Sequence, residues 1–175
     1  RELVTHGVTT IYHSLSTYGG HIFNHKPIRD FENVQKLLDA IAAIREGEEH
    51  DHLIRHRLHL RVELDAVDRV EEIEGYLNQG KVDLISFMDH TPGQGQYSDY
   101  KIFSDMLKGY RDGISDEEVD AIIKNQQEAK KIDPATLKKL ADLAHSKGIS
   151  LASHDDDCAE KLDFMDSLGA VISEF

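Results

Sequence analysis

The stretch Arg57-Leu58-His59-Leu60-Arg61-Val62-Glu63-Leu64 alternates without a break, with leucine or valine at each even position and an ionisable side chain at each odd one. A period of two is the period of a β-strand. Its apolar face suits a core, but the face carrying His59, Arg61 and Glu63 is out of place in a buried sheet unless it lines a site. Two further stretches have a related form. Val82 to Met88 is a nearly continuous apolar run that leads straight into Asp89-His90-Thr91-Pro92-Gly93-Gln94-Gly95-Gln96. Ile149 to Ser153 leads into His154-Asp155-Asp156-Asp157. Three strands therefore end on ionisable residues: Glu63, His90 and His154.

Helical patterns separate these strands. Gly7 to Leu15 is rich in β-branched and aromatic residues and reads as a strand. Arg29 to Glu46 has apolar residues at helical spacing, with Asp30 as its cap and Gly47 as its end. Asp65 or Asp68 opens a helix that closes near Gly80. Ser115-Asp116-Glu117-Glu118 is a capping box for a helix reaching about Lys131. Asp133-Pro134 starts another, which Gly148 closes. A short helix over Ala159 to Leu168 and a strand over Ala170 to Phe175 complete the order βαβαβααβαβ.

Alternating strands and helices predict a parallel sheet with right-handed crossovers. No G-x-G-x-x-G follows the first strand, which argues against an open dinucleotide-binding sheet. Ionisable residues at the C-terminal ends of successive strands are how a (β/α)8 barrel builds its site. The expected fold is therefore α/β: part of such a TIM barrel, with an extra helix between the His90 and His154 strands. At 175 residues the chain is shorter than the roughly 250 of a complete barrel. Residues 1–175 are thus expected to be the central segment of a single barrel domain whose flanking parts lie outside this chain, an expectation that the absence of a starting methionine reinforces.

Composition narrows the partners. The formal net charge of −13 argues against general nucleic-acid binding, which needs a basic face. A phosphorylated small molecule remains compatible, because a local pocket or a metal can reverse the field. No apolar run approaches the length of a membrane span, and no leader is visible. The single cysteine, Cys158, suits a reducing cytoplasm and reads as a small residue in the first turn of a helix. Eleven histidines point towards metal chemistry, although His50, His52 and His56 lie in a polar stretch expected at the surface.

Imidazole and carboxylate at strand ends suit divalent zinc, manganese or iron. Such an ion lowers the pKa of bound water enough to make it a nucleophile near neutral pH. Asp89, Asp155 and Asp156 are candidates to orient the imidazoles or to act as bases, with Asp89 and Asp155 the catalytic candidates. A histidine at a strand end is also an ordinary satisfied polar residue, and Asp156 and Asp157 also suit a helix N-terminus. Gly93 and Gly95 permit a turn, or offer amides to a phosphate. His13 is a weaker candidate, because Ser14 and Leu15 continue its strand. The residues by themselves leave these alternatives open.

Taken together, G-V-T-T-I-Y-H-S-L, H-L-R-V-E-L, S-F-M-D-H-T-P-G-Q-G-Q-Y and L-A-S-H-D-D-D resemble the PhnM family of phosphonate metabolism, within the amidohydrolase superfamily. The resemblance runs from Gly7 to the A-V-I-S-E-F end. It implies hydrolysis of an alpha-D-ribose 1-methylphosphonate 5-triphosphate with release of pyrophosphate, and Glu63, His90 and His154 as metal ligands, zinc being the first expectation. Chemistry adds Arg61, Gln94 and Gln96 as phosphate contacts. The superfamily's His-x-His pair and final Asp are not in this chain and are expected in the flanking parts, and Cys158 stands where threonine is expected. The 97–131 insertion is expected to cover the site as a lid or specificity element. A C–N hydrolase or deaminase of the same superfamily is the first alternative, and a non-catalytic α/β domain the second. A homo-oligomer is compatible with all three.

Overall fold

The computed structural model describes residues 2–19, 31–47 and 53–174. Five parallel strands form one sheet in the order in which they occur: β1 (Thr10–Thr17), β2 (Arg55–Glu63), β3 (Leu84–Met88), β4 (Ser150–His154) and β5 (Ile172–Glu174). The helices are α1 (Glu2–Thr5), α2 (Phe31–Glu46), α3 (Val70–Asn78), α4 (Tyr100–Tyr110), α5 (Asp116–Glu128), α6 (Pro134–Ser146) and α7 (Ala159–Ser167). The predicted mixed α/β alternation is therefore present, with α1 and α4 in addition. Its sheet never reverses direction among the described residues, which is compatible with part of a barrel.

The sheet's two faces are unequal, as the alternation in β2 requires. The register aligns Leu15, Leu60, Ile85 and Leu151 in one row across four strands. On this face pack Val34, Leu38 and Ile41 of α2, Ile73 and Leu77 of α3, Leu137, Leu140 and Ala144 of α6, and Met165 of α7. All four helices cover the same side, as right-handed crossovers between successive neighbouring strands demand. Burying each such side chain contributes roughly 1.5–3 kcal/mol, so this row is the main stabilising layer. His59, Arg61 and Glu63 point to the opposite face.

Several boundaries depart from the sequence reading. The Asp30 cap lies outside the described residues. Neither Asp65 nor Asp68 caps the next helix: a 3-10 turn over Val67–Arg69 precedes α3, and Arg69 stands at the α3 N-cap, its side chain pairing with Glu72 instead of capping the helix. Asp65 is used elsewhere, its carboxylate taking the Gly19 amide at 2.9 Å and the Gln126 amide at 3.3 Å. The Ser115 capping box forms as read, and Asp133 caps α6 through the Thr136 amide.

The insertion holds two helices before α6, where the sequence suggested one. Asp99 caps α4, and Phe103 and Leu107 of α4 pack with Tyr97 and Val119 into a small core of their own. Exposed Tyr100 and Ile102 blur the periodicity of α4, which is why its pattern escaped notice.

Gly19 fixes how the loop after β1 meets the loop after β2. A Cβ on it would lie 2.1 Å from the Asp65 carbonyl oxygen, a backbone atom that cannot turn away. Gly19→Ala is expected to lower unfolding stability by about 2 kcal/mol, the range of overpacking in a fixed site, as read by chemical denaturation. Unchanged stability would show that the two loops can part freely.

Candidate metal centre

The candidate site is assembled where β2, β3 and β4 end. Phe87 pairs with Ser153 and Glu63 with Met88, so Glu63, Met88 and His154 come level across the sheet, with His90 just beyond. His90, His154 and Asp155 each offer a donor atom within 4.8 Å of the others. Asp155 Oδ2 lies 3.0 Å from His90 Nε2 and 2.8 Å from His154 Nδ1. That oxygen is buried and accepts no hydrogen bond of acceptable geometry among the described residues. Asp155 also holds a φ of +57°, a left-handed conformation uncommon for a residue with a Cβ and concentrated at functional sites.

Glu63 reaches His90 from the other side, bonding Nδ1. A carboxylate accepts the Nδ1 proton, so Nε2 carries its lone pair towards Asp155. Two electron-rich atoms 3.0 Å apart require a cation between or beside them, either a proton or a metal ion. The donor set of two imidazoles and a carboxylate fits a borderline divalent metal, and the buried, unbonded Asp155 Oδ2 fits the same demand.

The protonation energetics agree. Burial raises the Glu63 carboxyl above its ordinary range, and the bond to His90 only partly offsets this. Burial alone would lower His90, but its bond to Glu63 and the charges of Glu63 and Asp155 outweigh burial and raise it. Both shifts favour keeping a proton within the Glu63–His90 pair.

The other sequence candidates fall into place around this cluster. Arg61 points its guanidinium at His154 Nε2 at 2.8 Å and its Nε at the Met88 sulfur at 3.0 Å. Asp89 takes Lys131 Nζ at 2.6 Å and the Thr91 amide and hydroxyl at 3.1 and 2.5 Å. Burial opposes ionisation of Asp89, yet Lys131 and Thr91 overcome it and hold the carboxyl below its usual range. Gln94 is half-buried beside Asp89 and near enough to help hold that carboxyl low, although among the described residues its buried amide nitrogen has no acceptor within strict bonding geometry. The Gln96 side chain lies outside the described residues. His13 shares the helix-covered face with Leu15 and pairs with His56 at 2.8 Å, away from the cluster. Cys158 is exposed at the N-cap of α7.

Sequence reading missed four neighbours. Lys131 neutralises Asp89 across 42 residues of chain, a distance with no local signal. Tyr97 sets its ring edge-on to His90 at 5.7 Å and joins the insertion's core to the site. Ser153 bonds Asp156, and the Gly95 amide bonds Asp157 at 2.6 Å, tying the glycine loop to the acidic run. Lys161 pairs with Asp157 at 2.7 Å on the rim of a cavity of about 190 Å³ lined also by Phe87, Leu137, His154, Asp155 and Phe164.

His59 lies in the floor of the same face, bonded to Ser86 at 2.8 Å and Ser14 at 3.3 Å. Burial, then the charges of Arg61 and His154, lower its pKa to about 4 from an ordinary 6.5. As pH falls, the unfolded chain therefore takes up this proton first. The stabilisation is complete above pH 6.5 and is lost on descending to about 4. It amounts to something on the order of 3 kcal/mol. Denaturation across that window should fall less steeply in His59→Asn than in the parent, and identical slopes would refute the assignment.

No family model matches the chain. It is 28% identical over 178 aligned positions to the alpha-D-ribose 1-methylphosphonate 5-triphosphate diphosphatase of Escherichia coli (strain K12), an alignment covering 99% of this chain and 44% of that protein. The chain thus spans less than half the length of the curated relative that it matches.

Proposed function

We propose that this chain is part of a (β/α)-barrel hydrolase that uses a divalent metal, zinc first, to cleave a phosphoanhydride in a phosphorylated sugar phosphonate. The observation that carries the reading is the convergence of His90, His154 and Asp155 at two strand ends around a buried, unbonded carboxylate oxygen. The likeness to the Escherichia coli diphosphatase supplies the substrate class. When bound, the ion contributes Lewis acidity towards a phosphoryl oxygen and activates water.

The chain's own residues have distinct roles in this reading. His90, His154 and Asp155 hold the ion. Glu63 sits one imidazole away from Asp155, so in this arrangement it acts through His90 by accepting the Nδ1 proton. Arg61 and Gln94 are the donors for phosphate oxygens, and Gln96 belongs to the same loop. A guanidinium matches a phosphate with parallel hydrogen bonds, which an ammonium does not. Asp89, held by Lys131 and Thr91, anchors the loop that carries these groups. Tyr97 and the α4–α5 insertion shield His90 from bulk water, which strengthens every charge interaction inside.

Elemental analysis of the full-length protein is expected to find bound zinc, manganese or iron, with His90→Ala and His154→Ala each losing most of it. Glu63→Gln should weaken metal affinity by roughly 10- to 100-fold, the cost of losing an orienting partner. Pyrophosphate should be released from a ribose 5-triphosphate, while a cyclic amide should be inert. Full metal content in both histidine variants would sink the metal reading, and turnover of the amide alone would move the reaction to C–N hydrolysis.

A further inference from the structure

The two histidines of the cluster are not in equivalent states. Glu63 accepts from His90 Nδ1 and leaves Nε2 as a lone-pair donor, the tautomer that a metal ligand needs. His154 faces the reverse arrangement. Its Nε2 is 2.8 Å from Arg61 Nη2, and a guanidinium can only donate. Nε2 must therefore present its lone pair to Arg61, which puts the ring proton on Nδ1. That nitrogen is the one 2.8 Å from Asp155 Oδ2. With Arg61 in place, neither nitrogen of His154 has a lone pair to give to a metal.

We propose that Arg61 is a displaceable cation: it locks His154 in a non-ligating tautomer, and a divalent ion entering between His154 and Asp155 must dislodge it. The inference rests on the metal reading above and deepens it. The geometry supports displacement over permanence in two ways. Among the described residues the second anchor of Arg61 is the Met88 thioether, a weak acceptor that holds a guanidinium far less firmly than a carboxylate would. Electrostatics act in the same direction, because a fixed positive charge in contact with a ligand repels the incoming ion in a water-poor site. Once dislodged, the guanidinium regains its donors at the mouth of the cluster, where an anionic phosphate can take them.

The test is metal affinity, read with a chromophoric chelator in competition for zinc, with no turnover required. Arg61→Met removes the charge and keeps most of the volume. It is expected to bind zinc at least tenfold more tightly than the parent, with Arg61→Lys between the two. Equal or weaker zinc binding by Arg61→Met, with the parent binding normally, overturns the proposal and leaves the metal reading standing. Absence of zinc binding in parent and variants alike overturns both. A second measurement needs no variant: long-range nitrogen–proton NMR of the metal-free protein should show His154 protonated on Nδ1 and His90 protonated on Nδ1 towards Glu63. His154 protonated on Nε2 would overturn the proposal even if Arg61→Met failed to fold.

Discussion

Consecutive parallel strands must be joined by crossovers, and right-handed crossovers between sequential neighbours all fall on one side of the sheet. Much else in this molecule depends on that constraint. It commits the face of Leu60, Ile85 and Leu151 to the helices α2, α3, α6 and α7, which leave the face of His59, Arg61 and Glu63 on the other side. Because side chains alternate strictly, a slip of one residue in β2 would bury three ionisable groups under helices and turn Leu58, Leu60 and Val62 outward. The hydrophobic core and the candidate site are therefore set by one register.

Register also explains why the charges gather where they do. A carboxylate as buried as Glu63, at 4% exposure, is costly unless something positive or protic meets it. Here His90 meets it, and Asp155 then closes on the far nitrogen of the same ring. Removing either carboxylate strips one nitrogen of the His90 ring of its neighbour, while keeping both leaves excess negative charge at one point. A cluster with that imbalance attracts protons or metal ions, whatever reaction it serves. Asp89 shows the contrasting solution: Lys131 neutralises it, and it carries no such excess.

The sequence made the order of elements and the unequal faces legible because both rest on local periodicity. The Ser115 box and the Asp133-Pro134 start were equally readable, since caps are written within four residues. Asp65 misled for the same reason: it stands where a cap is expected, yet Gly19 and Gln126 recruit it from distant parts of the chain. At the site, strand ends made His90 and His154 candidates, and their shared form suggested the common centre at which their donor atoms meet. The link from Arg61 to His154 spans 93 residues, and nothing in either local stretch announces it. The closure of Asp155 onto both rings depends on its positive φ, which no pattern of residue types discloses.

The net charge of −13 is awkward for a protein proposed to take a polyphosphate, and the arrangement of cations bears on that difficulty. Beyond about 10 Å in ordinary salt, surface carboxylates are screened, so the bulk charge slows encounter more than it weakens binding. What a phosphate meets at short range is decided locally, by Arg61 beside His154 and by Lys161 on the cavity rim. A metal in the cluster would add its own two positive charges to a site whose anions already lean on protons. Under the proposed function, the same excess of carboxylates that repels a phosphate from the bare site would be the reason that a metal-loaded one could hold it. Anion binding and metal binding are then linked: the substrate should favour the metal-loaded state, and the metal should hold more firmly once the phosphate is in place.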